Sequence, residues 1–278
     1  MADEAATHYD MITDMWKHFM GDNLHFGYFE SEDMELARAT ELMIDRMLDL
    51  CDISDDTRVL DVGCGIGGPA IYIHQKFKCA VDGISTSERG VELANQASKE
   101  KGFDKVRFKV ADGMDNKFPS EIFDIVWIME TSHLIPDKNR LFRECYRVLK
   151  KGGKLVLCDL IQLKSIPFLK GMLQLLIHIK DIKVAPRVWG PAHIISLGSL
   201  CDPIIEAGFN RVCSYNVTKY AAPTLKWWSE NAKRFRPSAK DEFSMQYTED
   251  FIKGCANLEK AFRDGTVGYG MISAVKEA

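Results

Sequence analysis

From Arg58 to Asp159, short apolar runs alternate with amphipathic segments in a regular rhythm. The runs at 59–62, 79–84, 106–110, 124–129 and 154–158 read as strands. Helical segments lie between them: one opened by Pro69, one over 87–101 and one over 136–149. Proline suits a first helical turn, where its missing N–H has no intrahelical partner to lose. Strand, helix and strand at this spacing predict a parallel, doubly wound α/β sheet with right-handed crossovers. In such sheets ligands bind outside the carboxyl ends of the strands. Residues just after each strand are therefore the first candidates for function.

Beyond Asp159 the rhythm stops. Residues 162–196 are apolar and irregular, too long for a loop, and are expected to form a helical cap insertion. A helix near 200–207 ends at Gly208, a residue suited to a helix stop. A strand at 210–217, a helical stretch over 223–262 and a last strand at 269–275 follow, the two strands reading as an antiparallel closing pair. At the other end, 34–50 carries Leu36, Ala39, Met43, Met47 and Leu50 at helical spacing. The expected division is an N-terminal lid and helix over 1–50, a cofactor-binding core over 51–161, the cap over 162–196, and the rest of the core over 197–278 with a second cap segment at 223–262.

Bulk properties exclude several classes. A net charge of -4 provides no basic field for nucleic acid. The start, MADEAATHYD, is acidic and lacks the apolar run of a secretory leader. The greasiest stretch, 160–179, is broken by Lys164, Pro167 and Lys170, so no stable membrane insertion is expected. Eight cysteines without a C-x-x-C pair read as reduced thiols of a cytoplasmic protein, with neither a disulfide framework nor a metal site. The oligomeric state stays open, a homodimer included.

The turn after the first strand, VLDVGCGIGGPA at 59–70, admits two nucleotide readings. Gly63-x-Gly65-x-x-Gly68 fits a dinucleotide fingerprint, and Asp61-x-Gly63-x-Gly65-x-Gly67 fits a different cofactor. A nicotinamide enzyme needs an acid at the second strand's tip, but Asp82 is followed by Gly83-Ile84-Ser85 in the same run. The third strand ends in Ala111-Asp112-Gly113, an acid suited to an exocyclic adenine amine.

Four segments together carry a resemblance: the 59–70 turn, Gly83-Ile84-Ser85-x-Ser87, Tyr9-Asp10 with Leu24-His25-Phe26-Gly27-Tyr28, and Met129-Glu130-Thr131-Ser132-His133-Leu134-Ile135-Pro136-Asp137. In order and spacing they resemble class I S-adenosylmethionine-dependent methyltransferases of the small-molecule branch, the sterol, tocopherol and rebeccamycin-type enzymes. The chain departs from that pattern twice, with Ser85 where an acid often holds ribose and Gly90 where the branch often has Gln. The resemblance implies a Rossmann-like, doubly wound sheet of seven strands with a helical cap and an N-terminal lid. It implies S-adenosyl-L-methionine as cofactor and S-adenosyl-L-homocysteine as product.

Residue by residue, the resemblance places the methionine part on Gly63, Gly65 and Gly67, with Asp61 ordering the loop. Ile84, Ser85, Asp112, Gly113, Met114 and Glu130 complete the cofactor site. Asp112 also reads as a turn acid, and Met114 as a core methionine. His133 and Asp159, at the tips of neighbouring strands, are matched to a general base and its carboxylate. The alternative is structural, His133 capping a helix and Asp159 ending its strand. Tyr9 faces the sulfonium, whose charge an aromatic face attracts. Trp16, His25, Phe26, Met172, Trp189 and Trp227 are candidates for an apolar acceptor's wall, or for plain core packing. The basic run Lys226, Lys233, Arg234 and Arg236 reads either as an anion hold or as a solvated face. The expected activity is methyl transfer to oxygen or carbon of an apolar small molecule. N-methylation of a small amine, a nicotinamide oxidoreductase, and a donor-binding protein without transfer are the alternatives.

Overall fold

A computed structural model describes residues 2–164 and 184–277. Met172, with most of the expected first cap segment, lies outside the described residues. The chain begins with α1 (Ala2–Met20) and α2 (Leu36–Leu48), then winds through β1 (Arg58–Val62), α3 (Gly68–Phe77), β2 (Ala80–Ser85), α4 (Glu88–Glu100) and β3 (Val106–Val110). It continues with β4 (Phe123–Met129), α5 (Lys138–Val148) and β5 (Leu149–Gln162). The later helices are α6 (Val184–Trp189), α7 (Leu197–Glu206), α8 (Thr218–Ala221), α9 (Thr224–Phe235) and α10 (Glu242–Arg263), with β6 (Asn210–Asn216) and β7 (Val267–Val275) completing the sheet.

The seven strands lie in the order β3-β2-β1-β4-β5-β7-β6. The first five are mutually parallel; β7 is antiparallel to both β5 and β6. Side chains alternate between two buried layers, as a sheet covered on both faces requires. Val59, Trp127 and Val156 enter the core beneath α1 to α4, while Leu60, Ile128 and Leu157 meet α5 and α7. The direction of winding reverses between β1 and β4, so a crevice opens beyond their carboxyl ends.

The helices start where local chemistry lets them. The Ser87 hydroxyl accepts from Gly90 N at 2.9 Å to open α4, and Asp137 accepts from Arg140 N at 2.9 Å to open α5. Strand β5 outruns its apolar signal at 154–158 because β7 pairs with it from Lys154–Val275 to Gln162–Val267. The helical stretch at 223–262 divides at Arg236–Ser238, where Pro237 denies the helix a backbone donor.

The N-terminal segment closes over the crevice. Asp10 on α1 accepts from Ser87 Oγ at 2.6 Å and Arg89 N at 3.1 Å, docking α1 on the start of α4. Trp16 Nε1 donates to Tyr247 Oη of α10 at 2.7 Å. After α1 the chain crosses the strand tips, where Phe26 N donates to Glu130 Oε1 at 2.6 Å and Gly27 N to Thr224 Oγ1 at 3.0 Å.

Candidate active site

The crevice and its cover enclose a cavity of about 370 Å³. One wall is the row of strand tips: Gly63 and Gly65 after β1, Ser85 and Thr86 at β2, Asp112 to Met114 after β3, and Glu130 and His133 after β4. The facing wall is apolar and comes from Tyr9, Trp16 and Phe26 of the N-terminal segment with Trp189 and Trp228. A second, small cavity of about 40 Å³ adjoins it, sharing Leu24, Gly63, Gly65, Ile66 and Met129 in its wall.

The glycines of the first turn do different things. Gly65 has φ +51° with no heavy atom within 4 Å of the place a Cβ would take, and it lines both cavities. Its bare backbone faces open space that a bound molecule can enter. Gly67 instead serves packing: a Cβ there would stand 2.7 Å from Phe108 and 2.9 Å from Ala94, and it lines neither cavity. Gly63 lies against the Thr131 side chain.

His133 and Asp159 form a densely hydrogen-bonded group at the site. Asp159 is 1% exposed and receives His133 Nδ1 on Oδ1 at 2.6 Å, Leu160 N on Oδ1 at 2.8 Å, and Ser132 Oγ and His133 N on Oδ2 at 2.5 and 2.9 Å. Burial opposes its ionisation, but the His133 charge and these donors outweigh burial and hold the carboxyl below its usual range. Burial likewise opposes a cationic His133, yet the Asp159 charge and hydrogen bond raise its pKa above the ordinary value. A carboxylate only accepts, so Nδ1 carries the proton and Nε2, on the other edge of a ring that lines the cavity, is the basic nitrogen. Lys138 Nζ pins the turn by donating to Ser132 O and Ile135 O at 2.8 Å each.

Glu130 stands beside this pair at φ +51°. Its Oε1 accepts from Phe26 N and from Tyr269 Oη, each at 2.6 Å, tying the N-terminal cover to the sheet. Burial pushes its pKa up to about 7, partly offset by those two donors. Tyr9 points its phenol toward the same corner: burial, then the charges of Glu130 and Asp159, raise its pKa. At the opposite end, Asp112 Oδ1 accepts from Met114 N at 2.8 Å.

The structure brings Tyr9, Gly63, Gly65, Ile84, Ser85, Asp112, Gly113, Met114, Glu130 and His133 to one cavity, with Asp159 behind His133. Trp16, Phe26 and Trp189 join them. Asp61 and His25 line the small cavity instead. Trp227 is absent from the described wall, and Trp228, one residue on, takes that place. Sequence reading also passed over Ser132 and Tyr269; the latter is 139 residues from Glu130, and no local pattern announces that bond. Among the described residues, no group of three or more His, Cys, Asp or Glu side chains is arranged to hold a metal ion, and no helix is long and apolar enough to cross a membrane.

The cavity suits an adenosyl sulfonium donor. It offers the open cradle at Gly65, an acid at Asp112 for an amine, and the apolar side chains of Ile84 and Met114 in the same wall. Asp61 contributes a buried Oδ2 with no hydrogen-bond partner among the described residues, in the wall of the small cavity beside Gly65. These residues fit the group.

Comparison with known proteins agrees. The family described as "Methyltransferase domain" matches residues 60–157. The chain is 30% identical over 269 residues to 27-O-demethylrifamycin SV methyltransferase of Amycolatopsis mediterranei, covering 96% of this chain and 95% of that protein. It is 32% identical over 165 residues to the chloroplastic tocopherol O-methyltransferase of Arabidopsis thaliana, a match that spans 55% of this chain and about half (47%) of that one. The solved cyclopropane synthase MmaA2 of Mycobacterium tuberculosis shares the fold at TM-score 0.86, with 19% identity over 99% of this chain and 98% of that one. With an end-to-end relative at 30% identity and a matching family domain, the chain belongs to the S-adenosylmethionine-dependent methyltransferases.

Proposed function

We propose that the enzyme methylates a hydroxyl of a mostly apolar small molecule, with His133 as general base. The observation that carries this reading is the 2.6 Å contact of His133 Nδ1 with Asp159 Oδ1, on a ring lining a cavity whose facing wall is apolar. The bound donor supplies an electrophilic methyl on a leaving group that needs no protonation. What remains for the protein is alignment, exclusion of water and removal of one proton. His133 Nε2 takes the acceptor's hydroxyl proton as oxygen attacks, and Asp159 holds the productive tautomer and balances the imidazolium. Gly63, Gly65, Ile84, Ser85, Asp112, Gly113 and Met114 hold the donor on the strand-tip side. Trp16, Phe26, Trp189 and Trp228 seat the acceptor opposite. The two O-methyltransferase relatives favour oxygen as the accepting atom. Eight unpaired cysteines, five of them buried, support a reducing, cytoplasmic setting.

A panel of lipophilic alcohols, phenols and small amines, incubated with methyl-labelled donor, tests the reading. Label is expected in hydroxyl-bearing acceptors. Transfer confined to amines would refute it.

The pH profile is a sharper check on the base. Neutral His133 is the active form and its pKa is raised, so kcat is expected to climb with pH through a value above that of free histidine. Asp159 is what raises it against burial, so Asp159→Asn should move that limb to lower pH as well as reduce kcat. A limb unmoved by Asp159→Asn would assign the titration elsewhere, Glu130 near 7 being another acid at the site.

A further inference from the structure

Tyr247 is not part of the described wall of the large cavity, yet it bonds to two segments whose side chains are. It is 3% exposed and lies near the start of α10. An indole N–H only donates, so the phenol oxygen accepts from Trp16 Nε1 at 2.7 Å. The same hydroxyl donates to Val188 O at 3.2 Å. These partners stand 231 and 59 residues away along the chain. Burial holds the phenol pKa above its ordinary value, so the proton given to Val188 stays on the oxygen.

Trp16 belongs to the N-terminal cover, and Trp189 follows Val188 at the end of α6. Both line the cavity with ring centres 6.1 Å apart, and Trp189 continues the wall to Trp228 at 6.0 Å. The helices that carry them have other fastenings. Arg187 Nη1 of α6 donates to Asp250 Oδ2 of α10 at 2.6 Å. Asp10 docks α1 on α4, Asn231 Nδ2 donates to Phe19 O at 3.0 Å, and His8 Nε2 lies 3.2 Å from Val188 O. Those bonds place whole helices. The Tyr247 hydroxyl instead holds the Trp16 ring itself, together with the carbonyl beside Trp189. A wall made of large rings on separate helices is as exact as the bonds that fix the rings relative to one another.

We propose that Tyr247 is a positioning residue for acceptor selection, setting the Trp16 and Trp189 rings as one rigid wall. This rests on the reading of that wall as the acceptor's seat and deepens it. Tyr247→Phe takes away one oxygen, and the helices keep their other bonds, so the fold should stand. What it loses is the partner of a buried indole N–H, and with it the fixed relation between cover and α6.

Fluorine NMR of protein labelled with 5-fluorotryptophan, S-adenosylhomocysteine bound, reads the wall directly. The chain has five tryptophans, and single Trp→Phe variants assign their signals. In Tyr247→Phe the Trp16 and Trp189 signals should shift, while that of Trp127, fully buried in β4, stays and reports an intact core. Calorimetric titration with 2-naphthol, a flat apolar phenol, then reads the seat. Tyr247→Phe should weaken its binding by about five- to twentyfold, the worth of one buried hydrogen bond, and leave S-adenosylhomocysteine affinity unchanged. Trp189→Ala should weaken 2-naphthol as well. Unmoved Trp16 and Trp189 signals would overturn the proposal. So would 2-naphthol affinity unchanged in Tyr247→Phe but reduced in Trp189→Ala. Equal weakening of 2-naphthol and S-adenosylhomocysteine would make Tyr247 a general prop of the fold and overturn it too. A wild type that binds no 2-naphthol, or a Trp189→Ala variant that binds it normally, would instead refute the wall as the acceptor's seat.

Discussion

Replacing Gly65 with valine is expected to abolish donor binding, lowering S-adenosylhomocysteine affinity by on the order of a hundredfold or more, in a protein that still folds. Two effects act on the variant, and they can be separated. A left-handed φ of +51° strains any L side chain by roughly 1–2 kcal/mol, which lowers the melting temperature but not affinity as such. The branched side chain would also stand in the open space bordering both cavities, where the turn must meet the ligand. Gly102 supplies the control, with φ +69°, open surroundings and a place outside either cavity wall. Gly102→Val should lose similar stability and bind S-adenosylhomocysteine normally. Calorimetry and thermal melting of the two variants decide the matter. Micromolar binding by Gly65→Val would show that the donor lies elsewhere.

His133→Ala is expected to reduce kcat by about a hundred- to ten-thousandfold on a hydroxyl acceptor, the usual worth of a positioned base. Donor affinity should change little. The fold should survive because Asp159 loses one of its four donors and keeps Ser132 Oγ and the backbone N–H groups of residues 133 and 160. An unaltered kcat would make His133 a structural histidine that caps the turn before α5. A parallel rise in the donor's dissociation constant would point to a cofactor role. Measuring kcat and S-adenosylhomocysteine affinity on one preparation distinguishes all three outcomes.

The fold was legible because its signals are local. Apolar runs of strand length and Pro69 at a helix start each act within a turn of themselves, as do the Ser87 and Asp137 caps that the structure adds. Once the sheet is parallel and doubly wound, the end of β4 must lie beside β5, which is why His133, just past β4, meets Asp159 although 26 residues separate them. Asp159 itself is not at a strand tip as expected but inside β5, one residue beyond its last pairing with β4. The facing wall was less legible. Trp227 and Trp228 are neighbours in sequence, but a helix turns by roughly 100° per residue, so one step decides which side chain reaches the cavity. Gly63, Gly65 and Gly67 look alike in the sequence, yet Thr131, open space and Phe108 give each its own reason to lack a Cβ.

By itself, then, the sequence determined the sheet, the cofactor turn and the rim of strand tips, since these follow from periodicity and from residues a few positions apart. Only tertiary structure decided that Tyr269 braces Glu130, that His25 leaves the acceptor wall to line the small cavity, and that β7 lengthens β5 beyond its apolar run. Those contacts join segments far apart in the chain. Whether two such groups meet depends on packing directions and strand register, which no short stretch of residues encodes.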